Sequence, residues 1–412
     1  MGNAIERPSI KVVPRKLRTF VLYGWKSFLV YPEIKFERTQ VGWNMSERIV
    51  VKIGSSSLTS EEGGLNRERI AFFASELASL HARGDHVMLV TSGAVAAGFR
   101  QIGYPSKPKA VHEKQAAAAV GQALLMQAYQ EALSRYGIVA AQILLTRADF
   151  SNRRRIGNAL MTLEELLKQR IVPIINENDT VATDELVLKF GDNDNLSALV
   201  AAMTKAAKLI IITDMDGLYT EDPRKNPQAV KIERVDQISE ELLRIAGGAG
   251  SAVGTGGMRS KIEAARIAMR GGVRAFVGKV QHEGELRQAA EGSGRGTYFD
   301  TKLHSLPMKK QWLGFHSVPS GRIEVDGGAA DALLSGGKSL LPAGVTAVEG
   351  DFHPGDVVEV TAAGGDVLGR GVVNYAAWQL QAAAGLSSEE VSRRIEVSRI
   401  EVIHRDEWIT LK

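Results

Sequence analysis

Short, nearly uninterrupted apolar runs recur along this chain and set what it can fold into. They are Ile49-Val50-Val51 within Arg48–Ile53, Val87–Val90, Ile143–Leu145, Ile171–Ile175 and Leu209–Ile212. A run that is apolar at every position, rather than at alternate ones, marks a strand covered on both faces. Between the runs lie stretches with helical patterning, Arg69–Ala82, Lys114–Ser134 and Leu196–Ala206, the last two rich in alanine. Buried strands spaced by helices predict an α/β fold, an open, mostly parallel sheet sandwiched by helices. A last strand, Ala275-Phe276-Val277, closes this region before residue 300.

The texture then changes. Residues 301–320 read as an irregular linker with Pro307 and Pro319, and short strands with frequent glycine follow. These predict a small β-rich domain over 321–400, with a strand-like Arg399–Ile403 and a C-terminal tail at 401–412. Residues 1–44 differ again. They hold eight Lys/Arg against three Asp/Glu, whereas the rest of the chain holds 43 against 44. The formal charge of +4 therefore belongs to a basic N-terminal extension and gives no licence for a nucleic-acid-binding body. The first convincing strand follows Met45, so this extension is expected to be dispensable, translated from an upstream start. No apolar run approaches the roughly 20 residues of a membrane-spanning helix. With no cysteine, thiolate metal sites, disulfides and cysteine nucleophiles are excluded, which suits a cytoplasmic protein.

Chemistry collects where the apolar runs end. Asn176-Glu177-Asn178-Asp179 follows one run, and Gly191-Asp192-Asn193-Asp194-Asn195 comes soon after. Asn, Asp and Gly favour turns for local reasons, yet a buried strand that empties into this many polar groups presents them to something. Lys52-Ile53-Gly54-Ser55-Ser56 ends the first strand and Thr91-Ser92-Gly93-Ala94 the second; each joins small hydroxyl residues to glycine, as anion sites do. Thr213-Asp214 ends a later strand. Gly254-Thr255-Gly256-Gly257-Met258-Arg259-Ser260-Lys261 precedes a helix expected over Ile262–Met269 and has the make-up of a phosphate cradle. Lys52 and Lys261 converging on the sheet's C-terminal edge would supply the cations that phosphoryl transfer needs.

The order and wording of these motifs closely resemble the amino-acid kinase superfamily and, within it, the glutamate 5-kinase family. The likeness runs from about Arg48 to Phe299, an expected kinase domain over 45–300. It continues through a C-terminal part similar to the PUA module, carried by Val325–Ala329, Ser339–Val345 and Gly355-Asp356. Gly191–Asn195 is the motif most diagnostic of the glutamate-specific group. The resemblance implies an ATP contact at Lys52, glutamate contacts at Ser92, Asp179 and Asn193, and nucleotide contacts at Thr213 and Asp214. It further implies ATP contacts at Thr255, Gly256, Gly257, Met258, Arg259, Ser260 and Lys261. Lys52 and Lys261 would be the transition-state cations, held by Asp194, with Mg²⁺ as the metal and no protein ligand for it assigned. The stretch Asp184–Phe190 looks longer than the family's usual spacing.

The implied reaction is ATP-dependent phosphorylation of the L-glutamate side-chain carboxylate to L-glutamyl 5-phosphate, the first step of proline biosynthesis. The family also implies a homo-oligomer, proline as feedback inhibitor and glutamyl phosphate reductase as the next enzyme. A carboxylate is already a nucleophile at neutral pH, so no general base is required. Kinases of the same fold acting on N-acetylglutamate or aspartate are the nearest alternatives; they fit the α/β part but not the paired acid-amide motifs. An RNA-binding protein acting through the PUA-like domain is the alternative of another class. Residues 321–390 carry three basic residues, Arg322, Lys338 and Arg370, against ten acidic ones, which argues against RNA.

Overall fold

The structure is a computed structural model that describes residues 46–411 apart from 61–62, 152, 183–192, 222, 224–225, 227, 247–256, 302–318, 336, 396 and 398. The basic extension, the Asp184–Phe190 stretch, Gly191-Asp192, Thr255-Gly256 and most of the linker lie outside the described residues.

In the first part of the chain ten strands alternate with nine helices. They are β1 (Arg48–Ile53), α1 (Arg67–Ala82), β2 (His86–Thr91), α2 (Ala94–Gly98), α3 (Val111–Ser134), β3 (Ala140–Leu145), α4 (Arg147–Ser151), α5 (Arg153–Lys168), β4 (Val172–Glu177), α6 (Asn193–Met203) and β5 (Lys208–Ile212). Then come β6 (Leu218–Tyr219), β7 (Lys231–Ile232), β8 (Arg234–Val235), α7 (Glu240–Ala246), α8 (Met258–Arg270), β9 (Arg274–Gly278), α9 (Glu285–Glu291) and β10 (Gly296–Phe299). These counts cover the described residues.

One sheet runs in the order β3-β4-β2-β1-β5-β9-β10-β8. The strands from β3 to β9 are parallel, and only β10 turns antiparallel to its neighbour β9. The apolar runs are buried on both sides because helices cover both faces. Val50, Val90, Ile175 and Ile211 pack with Leu163, Ala198, Val200, Ile262 and Ala265 of α5, α6 and α8. Ile49, Val51, Leu89 and Ile174 pack with Phe73, Leu77, Tyr129 and Leu286 of α1, α3 and α9. Alternation along β1 therefore sends Lys52 to the same face as Val50, toward α6 and α8. Strand order runs outward from β1 in both directions, the kind of switch point at which open α/β sheets bind ligands beyond their strand ends.

Two expectations need correcting here. Ala275–Val277 is not the last strand, because Gly296–Phe299 adds β10 beyond it. The helix expected from Ile262 starts at Met258, since Gly257 already serves as its N-cap.

The second part holds β11 (Gly321–Val325), α10 (Gly327–Leu334), β12 (Val345–Gly350), β13 (Val357–Ala362), β14 (Val367–Val373), α11 (Ala377–Ala383), α12 (Ser388–Arg394) and β15 (Ile403–Thr410). Its five-stranded sheet has the order β12-β11-β13-β14-β15. The strand expected at Arg399–Ile403 falls at Ile403–Thr410 and pairs with β14, so this stretch is no tail but an edge strand of the sheet. Val357, Val372 and Ile409 also join the apolar cluster of the first sheet, within one unit over Met45–Lys412.

Candidate active site

Lys52 is the penultimate residue of β1 and 2% exposed. It meets Asp194, which lies in the first turn of α6 and is wholly buried. Lys52 Nζ stands 2.5 Å from Asp194 Oδ1. From the other side Lys261, in the first turn of α8, puts its Nζ 3.2 Å from Asp194 Oδ2. Ser260 Oγ stands 2.8 Å from that same oxygen and 2.8 Å from Gly257 O, so its single proton is shared between them. Two lysines thus face one carboxylate in a buried setting, with a formal charge of +1. Burial alone would raise the Asp194 pKa, but Lys52 and Lys261 beside it hold the carboxyl well below the usual range. Among the described residues no side chain caps the N-terminus of α8, an end whose backbone N–H groups suit an anion.

Across β1 and β2 lies a second polar cluster. Asn193, one residue before Asp194, directs its Nδ2 at Thr91 O (2.6 Å), Ser92 Oγ (2.8 Å) and Asn176 Oδ1 (2.9 Å). A backbone carbonyl only accepts, so Thr91 O fixes the amide's orientation. The amide's two hydrogens serve three acceptors. Its Oδ1 has no hydrogen bond among the described residues and is left as an acceptor. Ser92 Oγ accepts from Asn193, which leaves its proton to give. Next to it Gly93, at φ 108°, makes the left-handed turn into α2 that residues with a side chain rarely adopt.

Helix α2 is fixed by an unusually close crossing with α3. A Cβ added to Gly121 would come within 1.8 Å of Ala94 O, and one on Gly98 within 2.0 Å of Ala117 O. Gly121→Ala is therefore expected to force the helices apart and carry Ser92 and Gly93 with them. The expected cost is roughly 1–3 kcal/mol or more, read as a lower melting temperature together with a raised acceptor KM.

Asp179 lies just beyond β4 and is half-buried; no hydrogen bond joins it to Ser92 or Asn193 among the described residues. Burial pushes its carboxyl up to about 6, partly offset by Lys107. The turn reading of the polar motif holds for its neighbour Asn178, whose Oδ1 accepts from Thr180 Oγ1 at 2.6 Å and whose carbonyl accepts from Val181 N at 3.1 Å. On the far side of β1, Thr213 directly follows β5: its N donates to Gly278 O at 2.9 Å, and its hydroxyl bonds Asp214 Oδ1 at 3.0 Å.

The structure thus unites Lys52, Asp194, Ser260 and Lys261 in one cluster, and Ser92 with Asn193 in another. Met258 and Arg259 do not send side chains to either. Met258 packs on the apolar core, and Arg259 pairs with Glu263 at 3.1 Å on the exposed side of α8. Asn176, to which the sequence motif alone gives no role, is 2% exposed and bonds Asn193 directly. The bond of Ser260 to Asp194 was also unforeseen; its only signal was a hydroxyl one position before Lys261.

The sequence matches the family model for the amino acid kinase family over residues 47–279 and that for the PUA domain over residues 321–395. A glutamate 5-kinase from Bacillus cereus (strain ATCC 10987 / NRS 248) is 50% identical over 366 residues, covering 89% of this chain and 99% of the relative. One from Geobacillus kaustophilus (strain HTA426) is 51% identical over 367 residues, covering 89% and 98%. One from Geobacillus thermodenitrificans (strain NG80-2) is 50% identical over 367 residues, with the same coverage of 89% and 98%. On these grounds the chain belongs to the amino acid kinase family, in its glutamate 5-kinase group, with a PUA domain in its C-terminal part.

Proposed function

We propose that this protein transfers the γ-phosphoryl group of ATP to the side-chain carboxylate of L-glutamate, giving L-glutamyl 5-phosphate and ADP, in the cytoplasm. The observation that carries this reading is the buried Lys52–Asp194–Lys261 cluster beside the amide-and-hydroxyl pocket of Asn193 and Ser92. A carboxylate oxygen attacks the γ-phosphorus in line, the new O–P bond forms, and the bond to the β,γ-bridging oxygen breaks with its electrons leaving on ADP. No proton moves, so no general base is needed. Two anions must instead be brought together, and the excess positive charge of the lysine pair offsets their repulsion.

Polarity in the acceptor pocket favours glutamate over its N-acetylated form. Asn193 Oδ1 and Asp179 both accept, which suits an α-ammonium group, while the Ser92 hydroxyl is free to donate to a carboxylate. Both oxygens of Asp194 are engaged by Lys52, Lys261 and Ser260, and the described residues contain no cluster of three or more His, Cys, Asp or Glu. That donor set fits a divalent ion arriving as MgATP, held by phosphate oxygens and water, as Mg²⁺ commonly is.

ADP release measured with L-glutamate, N-acetylglutamate, L-aspartate and UMP as acceptors tests the assignment. Glutamate is expected to be the preferred acceptor; preference for any other would refute it. The raised Asp179 pKa adds a pH signature. Ionised Asp179 attracts the ammonium group, so its contribution is present above about pH 6 and lost below it. The glutamate KM is expected to rise as pH falls through that value while the ATP KM stays flat, and Asp179→Asn should remove the difference.

A further inference from the structure

We propose that Gln122, in the middle of α3, is a positioning residue for the acceptor pocket: through Asn176 it fixes which way the Asn193 carboxamide faces. The inference rests on the reading of that pocket as the glutamate site. Two backbone groups determine the direction of a line of side-chain amides. Thr91 O can only accept and takes a hydrogen from Asn193 Nδ2. Glu177 N–H can only donate and gives its hydrogen to Asn176 Oδ1 at 2.9 Å. Asn176 must therefore turn its oxygen toward Asn193 and its Nδ2 away from it. That Nδ2 reaches Gln122 Oε1 at 2.8 Å, and Gln122 Nε2 continues to Gln142 Oε1 at 2.9 Å. All these amides point the same way.

Asn176 is 2% exposed, so the Gln122 oxygen supplies an acceptor that bulk solvent does not. If that oxygen is removed, a buried N–H group is left without a partner. Flipping Asn176 offers no remedy, because its Nδ2 would then face two other donors, Asn193 Nδ2 and Glu177 N. The strain passes instead to Asn193, whose Oδ1 leaves its place in the pocket. Gly121, the neighbour of Gln122, makes the close contact with α2, so one turn of α3 sets both the Ser92–Gly93 loop and the Asn193 amide. Lys52, Asp194 and Lys261 are tied to one another by contacts of their own, which keeps the nucleotide side apart.

Steady-state kinetics on Gln122→Met and Gln122→Glu test this. Methionine keeps the length and helix propensity of glutamine but loses the acceptor; glutamate is isosteric and restores it. For Gln122→Met the glutamate KM is expected to rise about tenfold, with kcat and ATP KM nearly unchanged and the melting temperature lowered by only about 2–4 °C. Gln122→Glu is expected to recover most of that loss. An unchanged glutamate KM in Gln122→Met, an equal rise in ATP KM, or no recovery in Gln122→Glu would each overturn the proposal. Failure of the glutamate reading itself is seen separately, as a wild-type protein that releases no ADP in response to glutamate.

Discussion

Lys52→Met is expected to lower glutamate-dependent turnover by about 10²–10³-fold at saturating substrates, and Lys261→Met by a similar factor. Each lysine is all but buried and aimed at the same carboxylate, so its charge acts where solvent screens it least. Charge spreads over the transferring phosphoryl oxygens in the transition state, and the loss should therefore appear in kcat more than in either KM. The double replacement is expected to cost little more than either single one, because the pair works as a unit around one anion. Stability should fall as well. The drop should stay below the roughly 3–5 kcal/mol typical of breaking a buried ion pair, since Asp194 keeps its other lysine and Ser260. Either variant retaining near-normal turnover would remove lysine from the chemistry.

Asp194→Ala is expected to have the larger structural effect. It strands two lysine side chains in a buried space with no carboxylate between them, at a cost of roughly 3–5 kcal/mol or more. In a domain of this size that corresponds to a fall of about 10 °C in melting temperature, with turnover reduced at least as far as in the lysine variants. Asp194→Asn separates charge from shape: it fills the same space, yet its NH₂ group must face a lysine. It too should lose both stability and turnover. The pH dependence has a definite sign. The Asp194 pKa is depressed in the folded state, so its contribution is complete above about pH 4, the ordinary carboxylate value, and is lost as pH falls toward the folded value. Thermal melts and initial rates on the same samples measure both effects.

The central strands were legible because each is covered on both faces, which leaves an uninterrupted apolar run that few other structures produce. Strands lying at edges were harder to see. In β15, Ile403–Thr410, charged residues on the outer side break the apolar signal, and Gly296–Phe299 is short with a glycine at its start. The boundary of α8 was displaced because glycine and hydroxyl residues read as loop, whereas Gly257 is the cap and Ser260 and Lys261 are already helical.

Within the site, the residues at strand ends could be named from sequence, since any side chain there faces the same edge. The partners of those residues could not. Asn176 and Gln122 are separated by 54 positions, and Gln122 sits in an alanine-rich helix where helical periodicity marks only apolar positions. Asn193 and Asp194 are neighbours in sequence but serve different clusters, because successive residues at a helix start point in different directions.

The most direct test is to trap the product. Purified protein is incubated with ATP, Mg²⁺, L-glutamate and hydroxylamine, and γ-glutamyl hydroxamate is measured against ADP. An acyl phosphate on the side-chain carboxylate predicts glutamate-dependent hydroxamate formed in step with ADP, lost in parallel in Lys52→Met and Lys261→Met. Glutamate-dependent ADP release with no hydroxamate, or hydroxamate formation that survives loss of both lysines, would contradict it.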